Sequence, residues 1–142
     1  LLKVEINNRI HIHKQYEPIP MVTCYASQIN QVLMNILSNA VQAIQGAGQI
    51  WISTLPIRAS SNQTGRVQIS IQDSGMGMSP DVLEKIFEPF FTTKGVGQGT
   101  GLGLSISYGI IQNHGGEIQV RSEKGVGTEF TLIIPVSQTK KS

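Results

Sequence analysis

Four uncharged amides, Gln31, Asn35, Asn39 and Gln42, recur at i, i+4, i+8 and i+11 along a segment whose apolar residues keep a helical period. Asparagine is a poor helix former, and an ordinary solvent-facing stripe would use Glu, Lys or Arg. Asn35 and Asn39 stand one turn apart, so their amide oxygens can converge on one point. Two neutral oxygens suit a hard cation such as Mg²⁺ that already carries phosphates. The alternative is an amphipathic helix with chance asparagines.

Asp73-Ser74-Gly75-Met76-Gly77 follows an alternating segment with Val67, Ile69 and Ile71 on one face. A carboxylate at a strand end, beside two glycines, can meet a flat ligand closely and accept from an exocyclic amine. Read alone, the same residues make an Asp-initiated turn. Gly95-Val96-Gly97-Gln98-Gly99-Thr100-Gly101-Leu102-Gly103 opens a helical segment, where bare backbone N–H groups form an anion site. The run fits neither the dinucleotide-binding glycine pattern nor a P-loop, because no Gly-Lys-Ser/Thr follows. Lys94 at its edge can reach a phosphate or simply point into solvent. Together, a cation-suited amide pair, an amine-accepting Asp and a phosphate-suited glycine loop are the parts of an ATP site.

These groups need elements to hold them. Residues 3–25 read as extended, with Ile10 and Ile12 alternating with Arg9, His11 and His13. Ser27 is the expected N-cap of a helix from Gln28 to about Ile44. Its buried stripe is Ile29, Val32, Leu33, Ile36, Leu37, Ala40, Val41 and Ile44, and Gly46 and Gly48 end it. Strands follow at Gln49–Arg58 and Arg66–Gln72, separated by a polar loop over Ala59–Gly65. Ser79-Pro80-Asp81 opens a short helix, and Glu88–Gly101 reads as a long loop. A helix over Leu102–His114 stops at Gly115-Gly116. Strands at Glu117–Arg121 and Thr128–Pro135 close the chain, with residues 136–142 expected to form a flexible tail. Strands and helices mix without βαβα alternation. The fold class expected is α+β: a two-layer sandwich with a mixed, mostly antiparallel sheet and helices on one face.

The 142 residues suit one domain. Charged residues are 14% of the chain and the net charge is +2, with basic residues scattered, so neither a disordered charged tail nor a nucleic-acid stripe fits. The single cysteine, Cys24, excludes an internal disulfide and is expected to be buried. No apolar run is long enough for a bilayer. Leu1-Leu2-Lys3-Val4-Glu5 reads as neither a signal peptide nor a natural start, so a fragment of a longer intracellular protein is expected.

The order of motifs resembles the catalytic ATP-binding domain of sensor histidine kinases of two-component systems. Gln31 to Ala43 resembles that family's N box, Asp73 to Gly77 its first glycine box, and Ile86 to Lys94 its F box. Gly97 to Ile106 resembles its second glycine box, and His114-Gly115-Gly116 with Gly125 to Phe130 its C-terminal end. The resemblance covers nearly the whole chain. It implies the Bergerat fold, shared with type II topoisomerases, Hsp90 and MutL, and ATP and Mg²⁺ as cofactors. Asn39 would hold Mg²⁺, with Asn35 assisting. Asp73 would accept from the adenine N6 amine, with Gly75 and Gly77 beside the ring and Thr128 in the same network. Glu88–Gly101 would be a lid, mobile without nucleotide, with Lys94 and the backbone of Gly99, Gly101, Leu102 and Gly103 at the phosphates.

The ATPase relatives carry Glu one turn before the metal Asn, as a base for water. Asn35 stands there, and an amide cannot take that proton. Slow hydrolysis and phosphoryl transfer to another acceptor are therefore expected, the catalytic groups being Asn35, Asn39 and Lys94. Gln42 stands where many members have a basic residue. The family's acceptor is a His followed by an acidic residue on a separate dimerisation domain, and His11, His13 and His114 do not match it. The expected partners are that domain, with Phe90 and Phe91 as contacts, and a downstream response regulator. Nucleic acid and membrane contacts are not expected, the location is cytoplasmic, and the isolated chain is monomeric. The competing readings are a Bergerat ATPase or protein-serine kinase, and a degenerate nucleotide-sensing module. His11 and His13 are expected to face solvent, His114 to sit as a cation at a helix C-terminus, and Trp51 to pack on the sheet. Phe87, Phe90 and Phe91 divide between core and docking roles.

Overall fold

β1 (Ile10–Tyr16) lies parallel to β2 (Gly48–Ser60), and the connection between them contains α1 (Ala26–Ala43). A parallel pair requires such a crossover connection. β3 (Gln63–Asp73), β4 (Glu117–Glu123) and β5 (Gly127–Pro135) complete a five-stranded sheet in the order β1-β2-β3-β5-β4, with every pair after the first antiparallel. α2 (Pro80–Leu83) and α3 (Gly103–Asn113) lie between β3 and β4 in the chain. The computed structural model describes residues 9–22, 24–60, 63–91 and 103–137.

The stripe on α1 packs as its spacing predicts. Val32, Ile36, Ala40, Val41 and Ile44 are buried, and Ile29, Leu33 and Leu37 pack beside them. They meet Ile50, Val67, Ile71, Phe130, Leu132 and Ile134 of the sheet and Ile110 and Ile111 of α3. Each fully buried branched side chain contributes about 1.5–3 kcal/mol relative to an exposed one, so this seam holds the helical layer on the sheet. The opposite sheet face carries polar side chains, with Trp51 stacked on His13 at 5.6 Å between ring centroids. The result is the expected α+β two-layer arrangement, and no described helix is long and apolar enough to cross a membrane.

Several boundaries differ from the sequence expectation. α1 begins at Ala26, with Tyr25 rather than Ser27 at the N-cap and no side-chain cap. The polar segment Ala59–Gly65 is not an open loop: β2 continues to Ser60, which pairs with Gln63 of β3 after irregularities at Arg58. Polar residues extend a hairpin here because backbone pairing does not require apolar side chains. Cys24 is half-buried rather than buried. Val136 is anchored by its N–H to the Gly65 carbonyl at 3.0 Å and packs on the core, so the tail does not begin at 136; residues 138–142 lie outside the described residues.

His114 is the largest correction. It is buried at 2% exposure. Its Nδ1 lies 2.8 Å from the Ile110 carbonyl, and its Nε2 accepts from the Tyr25 backbone N–H at 3.1 Å. A nitrogen that accepts carries no proton, so this is the neutral ring with its proton on Nδ1. It is a strut between the end of α3 and the start of α1, not a cation at a helix terminus.

Candidate nucleotide-binding site

Asp73 is the last residue of β3, paired across the sheet with Ile50 of β2 and Thr128 of β5. The strand's period of two puts it on the helix-facing side, after Val67, Ile69 and Ile71. It is buried at 5% exposure. Its Oδ1 accepts from the Gly75 N–H at 2.8 Å, and the carboxylate also accepts from the Thr128 backbone N–H. Burial raises its pKa above the usual carboxylate value of 3.8, and those two N–H groups oppose the rise without cancelling it. A buried acceptor with so few donors around it has capacity left for an amine.

The turn after Asp73 is fastened on three sides. The Met76 N–H donates to the Ala43 carbonyl at the end of α1 at 3.0 Å, and the Ser74 N–H donates to the Gln49 carbonyl of β2 at 3.0 Å. On the third side the β4–β5 turn closes in, the Gly125 N–H donating to the Met76 carbonyl at 2.7 Å. The glycines are required by this packing itself. A Cβ on Gly75 would meet the Ala43 carbonyl oxygen at 2.7 Å, and one on Gly77 (φ +69°) would meet the Glu123 carbonyl oxygen at 2.1 Å. Both positions expected to stand beside a ligand ring are thus also where α1 and the β4–β5 turn close in.

α1 presents its amides on the side of α3. Asn35 Nδ2 donates to the Gly103 carbonyl and to Ser107 Oγ, each at 3.1 Å, and Ser107 Oγ itself donates back to the Gly103 carbonyl at 2.8 Å. A carbonyl only accepts, so the nitrogen end of Asn35 must face Gly103 and its Oδ1 turns away. Asn39 lies one helical turn further along α1, toward Ala43 and the Asp73 turn. Gln42 donates to Ser38 Oγ at 3.2 Å on the exposed side. Among the described residues no three His, Cys, Asp or Glu side chains gather to hold a metal. The amide oxygens fit a cation that arrives with phosphate ligands. Lys94, Gly99, Gly101 and Leu102, and with them most of the expected lid, lie outside the described residues.

The three phenylalanines separate. Phe87 and Phe91 pack against the core, Phe87 with its ring 5.2 Å from that of Tyr108. Phe90 is 73% exposed and holds a left-handed φ of +67°, a conformation rare for a bulky residue and one that costs energy.

Sequence reasoning passed over Ser107 and Ser122 and gave His114 a different role. Ser122 Oγ accepts from the Met78 N–H at 2.8 Å and lies 2.8 Å from Thr128 Oγ1. A signal was present for all three. Ser107 and His114 occupy the apolar stripe of α3 with Leu104, Ile110 and Ile111, and Ser122 continues the inward alternation of Ile118 and Val120. A polar residue where the period demands an apolar one needs a buried partner.

The architecture and sequence have known counterparts. Residues 24–138 match the family model described as histidine kinase-, DNA gyrase B-, and HSP90-like ATPase. The chain is 44% identical over 122 residues to sporulation kinase E of Bacillus subtilis, covering 86% of this chain and 16% of that protein. It is 43% identical over 125 residues to the sensor histidine kinase ZraS of Escherichia coli, covering 88% of this chain and 25% of that one. The chain therefore spans a quarter or less of these relatives. The nucleotide-free catalytic domain of histidine kinase ThkA superimposes with a TM-score of 0.81 at 34% identity, over 96% of this chain and 86% of that one. Full-length ShkA in complex with AMPPNP does so with a TM-score of 0.82 at 30% identity, over 99% of this chain and 28% of that one. The chain belongs to the histidine kinase-, DNA gyrase B- and HSP90-like ATPase family, as an ATP-binding catalytic domain of the sensor histidine kinase type.

Proposed function

We propose that this domain binds ATP with Mg²⁺ and holds the γ-phosphoryl for a histidine on a separate dimerisation domain, from which a response regulator is served. The observation that carries the transfer reading is Asn35. Its side chain has no basic atom, and its nitrogen end is occupied by Gly103 and Ser107, so it cannot draw a proton from water.

In this reading Asp73 accepts from the adenine amine, with Thr128 beside it and Gly75 and Gly77 lining the turn. Asn39 and the outward Oδ1 of Asn35 offer neutral oxygens to the cation. When bound, Mg²⁺ neutralises charge on the phosphates, which is most of what phosphoryl transfer asks of a site. That Asn35 is held by Gly103 and Ser107 of α3 supports an amide, not a base, at the reacting end. Lys94 and the backbone of Gly99, Gly101, Leu102 and Gly103 are assigned to the phosphates. That AMPPNP is bound in the ShkA structure supports a nucleotide on this fold. Phe90, exposed and held in a costly backbone conformation, is the contact proposed for the acceptor-bearing domain, while Phe91 keeps its packing on the core.

Calorimetric titration tests the binding half. The chain is expected to take up ATP in the presence of Mg²⁺ without steady-state phosphate release, and Asp73→Asn is expected to lose that binding. Unchanged binding by the variant would remove Asp73 from the adenine site, and robust turnover by the isolated chain would favour a hydrolase.

A further inference from the structure

Ile10 and Ile50 are buried under the helical layer. Strand side chains alternate, so His11 and His13 of β1 and Gln49 and Trp51 of β2 stand on the other face of the sheet. The parallel register sets His11 against Gln49 and His13 against Trp51. The two imidazole rings lie 4.5 Å apart between centroids, tilted by 54°. His13 is held on two sides. Trp51 stacks on its ring at 5.6 Å and 12°, and its Nε2 lies 2.6 Å from Gln49 Oε1.

An amide oxygen only accepts, so His13 Nε2 carries the proton, and in the neutral ring the lone pair is left on Nδ1. Metal-ligating histidines are held in this way: one ring nitrogen gives its proton to an oxygen, which fixes tautomer and ring, and the other keeps its lone pair for the ion. His11 brings a second imidazole from the neighbouring outward position of the same strand. Rings at this spacing can share one ion about 2.0–2.1 Å from a nitrogen of each. Imidazole nitrogen suits Cu²⁺, Ni²⁺ and Zn²⁺, of which Cu²⁺ binds most tightly, whereas Mg²⁺ takes oxygen. We infer that His11 and His13 form a two-imidazole chelate for a late first-row divalent cation, Cu²⁺ above all, with Gln49 as the positioning residue that holds His13 and water in the remaining positions. The α1 amides proposed for Mg²⁺ belong to the helical layer, on the opposite side of the sheet, so the chelate does not rest on the ATP-binding reading.

Trp51 is the chain's single tryptophan, and its stacking on His13 makes its emission a reporter of an ion there, since Cu²⁺ quenches a nearby indole. Titration with Cu²⁺, followed by Trp51 emission and by calorimetry, is expected to show one ion per chain with quenching. Ni²⁺ and Zn²⁺ should compete more weakly, and Mg²⁺ not at all. Gln49→Ala is expected to weaken Cu²⁺ about tenfold, as loss of an outer-shell partner does, and Gln49→Glu, still an acceptor for the His13 proton, to restore it. His11→Ala and His13→Phe, the latter keeping a ring on Trp51, should each weaken Cu²⁺ by more than Gln49→Ala does. Cys24→Ser, which removes the only thiol, should bind as the unaltered chain does. Metal-free thermal unfolding accompanies each variant. If His13→Phe does not fold, His11→Ala, at an exposed position, carries the comparison. Affinity unchanged in a histidine variant, or lost in Cys24→Ser, places the ion elsewhere and overturns the chelate. Loss in the histidine variants with no effect of Gln49→Ala leaves a loose pair that takes up an adventitious ion only, and overturns the inference as well.

Discussion

The amide nitrogen of Asn35 donates to the Gly103 carbonyl at 3.1 Å, so this side chain of α1 is tied to the first residue of α3. That bond has a direction. Gly103 offers only an acceptor, and Ser107 Oγ has already given its proton to the same carbonyl. Asn35→Asp therefore sets carboxylate oxygen against carbonyl oxygen at a half-buried position. Denaturant unfolding should show the Asp variant less stable than the wild type by about 1–3 kcal/mol, and less stable than Asn35→Ala. An Asp variant as stable as the Ala variant would mean the amide orientation does not matter.

Asp73 gives a pH dependence with a definite sign. Its folded pKa is raised above the value of 3.8 by burial, so the folded chain holds this proton more tightly than the unfolded chain. The linked stabilisation is fully present below the unfolded value and is lost as pH rises through the folded one. Thermal melts of the nucleotide-free chain from pH 7 down toward pH 4 should therefore show wild type gaining on Asp73→Asn. Parallel profiles would contradict the burial of an ionisable group.

Gly77 tests the closure of the site by the β4–β5 turn. Gly77→Ala meets both a left-handed φ and the Glu123 carbonyl oxygen, so the turn must move. The expected loss is about 1–3 kcal/mol, together with weaker ATP binding. Gly125 also has a positive φ but open space around it, so Gly125→Ala should cost less and spare binding. Calorimetry on the two variants makes the comparison.

His114→Ala removes a buried ring and leaves the Tyr25 N–H without its acceptor. About 2–4 kcal/mol of stability should be lost. His114→Gln, which can still present an oxygen to Tyr25, should recover part of it in urea unfolding. A Gln variant no better than Ala would reduce the strut to simple filling of space.

The repeating parts of the fold were legible because they are local. The spacing of Val32, Ile36 and Ala40 predicts one buried helix face, and Ser79-Pro80-Asp81 predicts the start of a short helix, which α2 makes at Pro80. The alternation of Val67, Ile69 and Ile71 predicts one buried strand face, and the strand runs one residue further than expected, to put Asp73 on it. Partnerships across distance were not legible. Tyr25 and His114 are 89 residues apart, and nothing near Ser27 says that α1 begins earlier on a bond to the end of α3. Likewise, Ser122 and Met78 meet only because the β4–β5 turn folds over the Asp73 turn. Polar residues standing in apolar stripes were the trace these partnerships left in the sequence.

Transfer rather than hydrolysis is the central claim, and the fate of the γ-phosphoryl measures it. γ-Labelled ATP is mixed with this chain and a separately prepared dimerisation fragment carrying the acceptor histidine, and label is followed both on the fragment and as free phosphate. The expected result is acid-labile label on the fragment, none on this chain, and little free phosphate. Rapid phosphate release with no label on the fragment, in a chain shown to bind ATP, would contradict it.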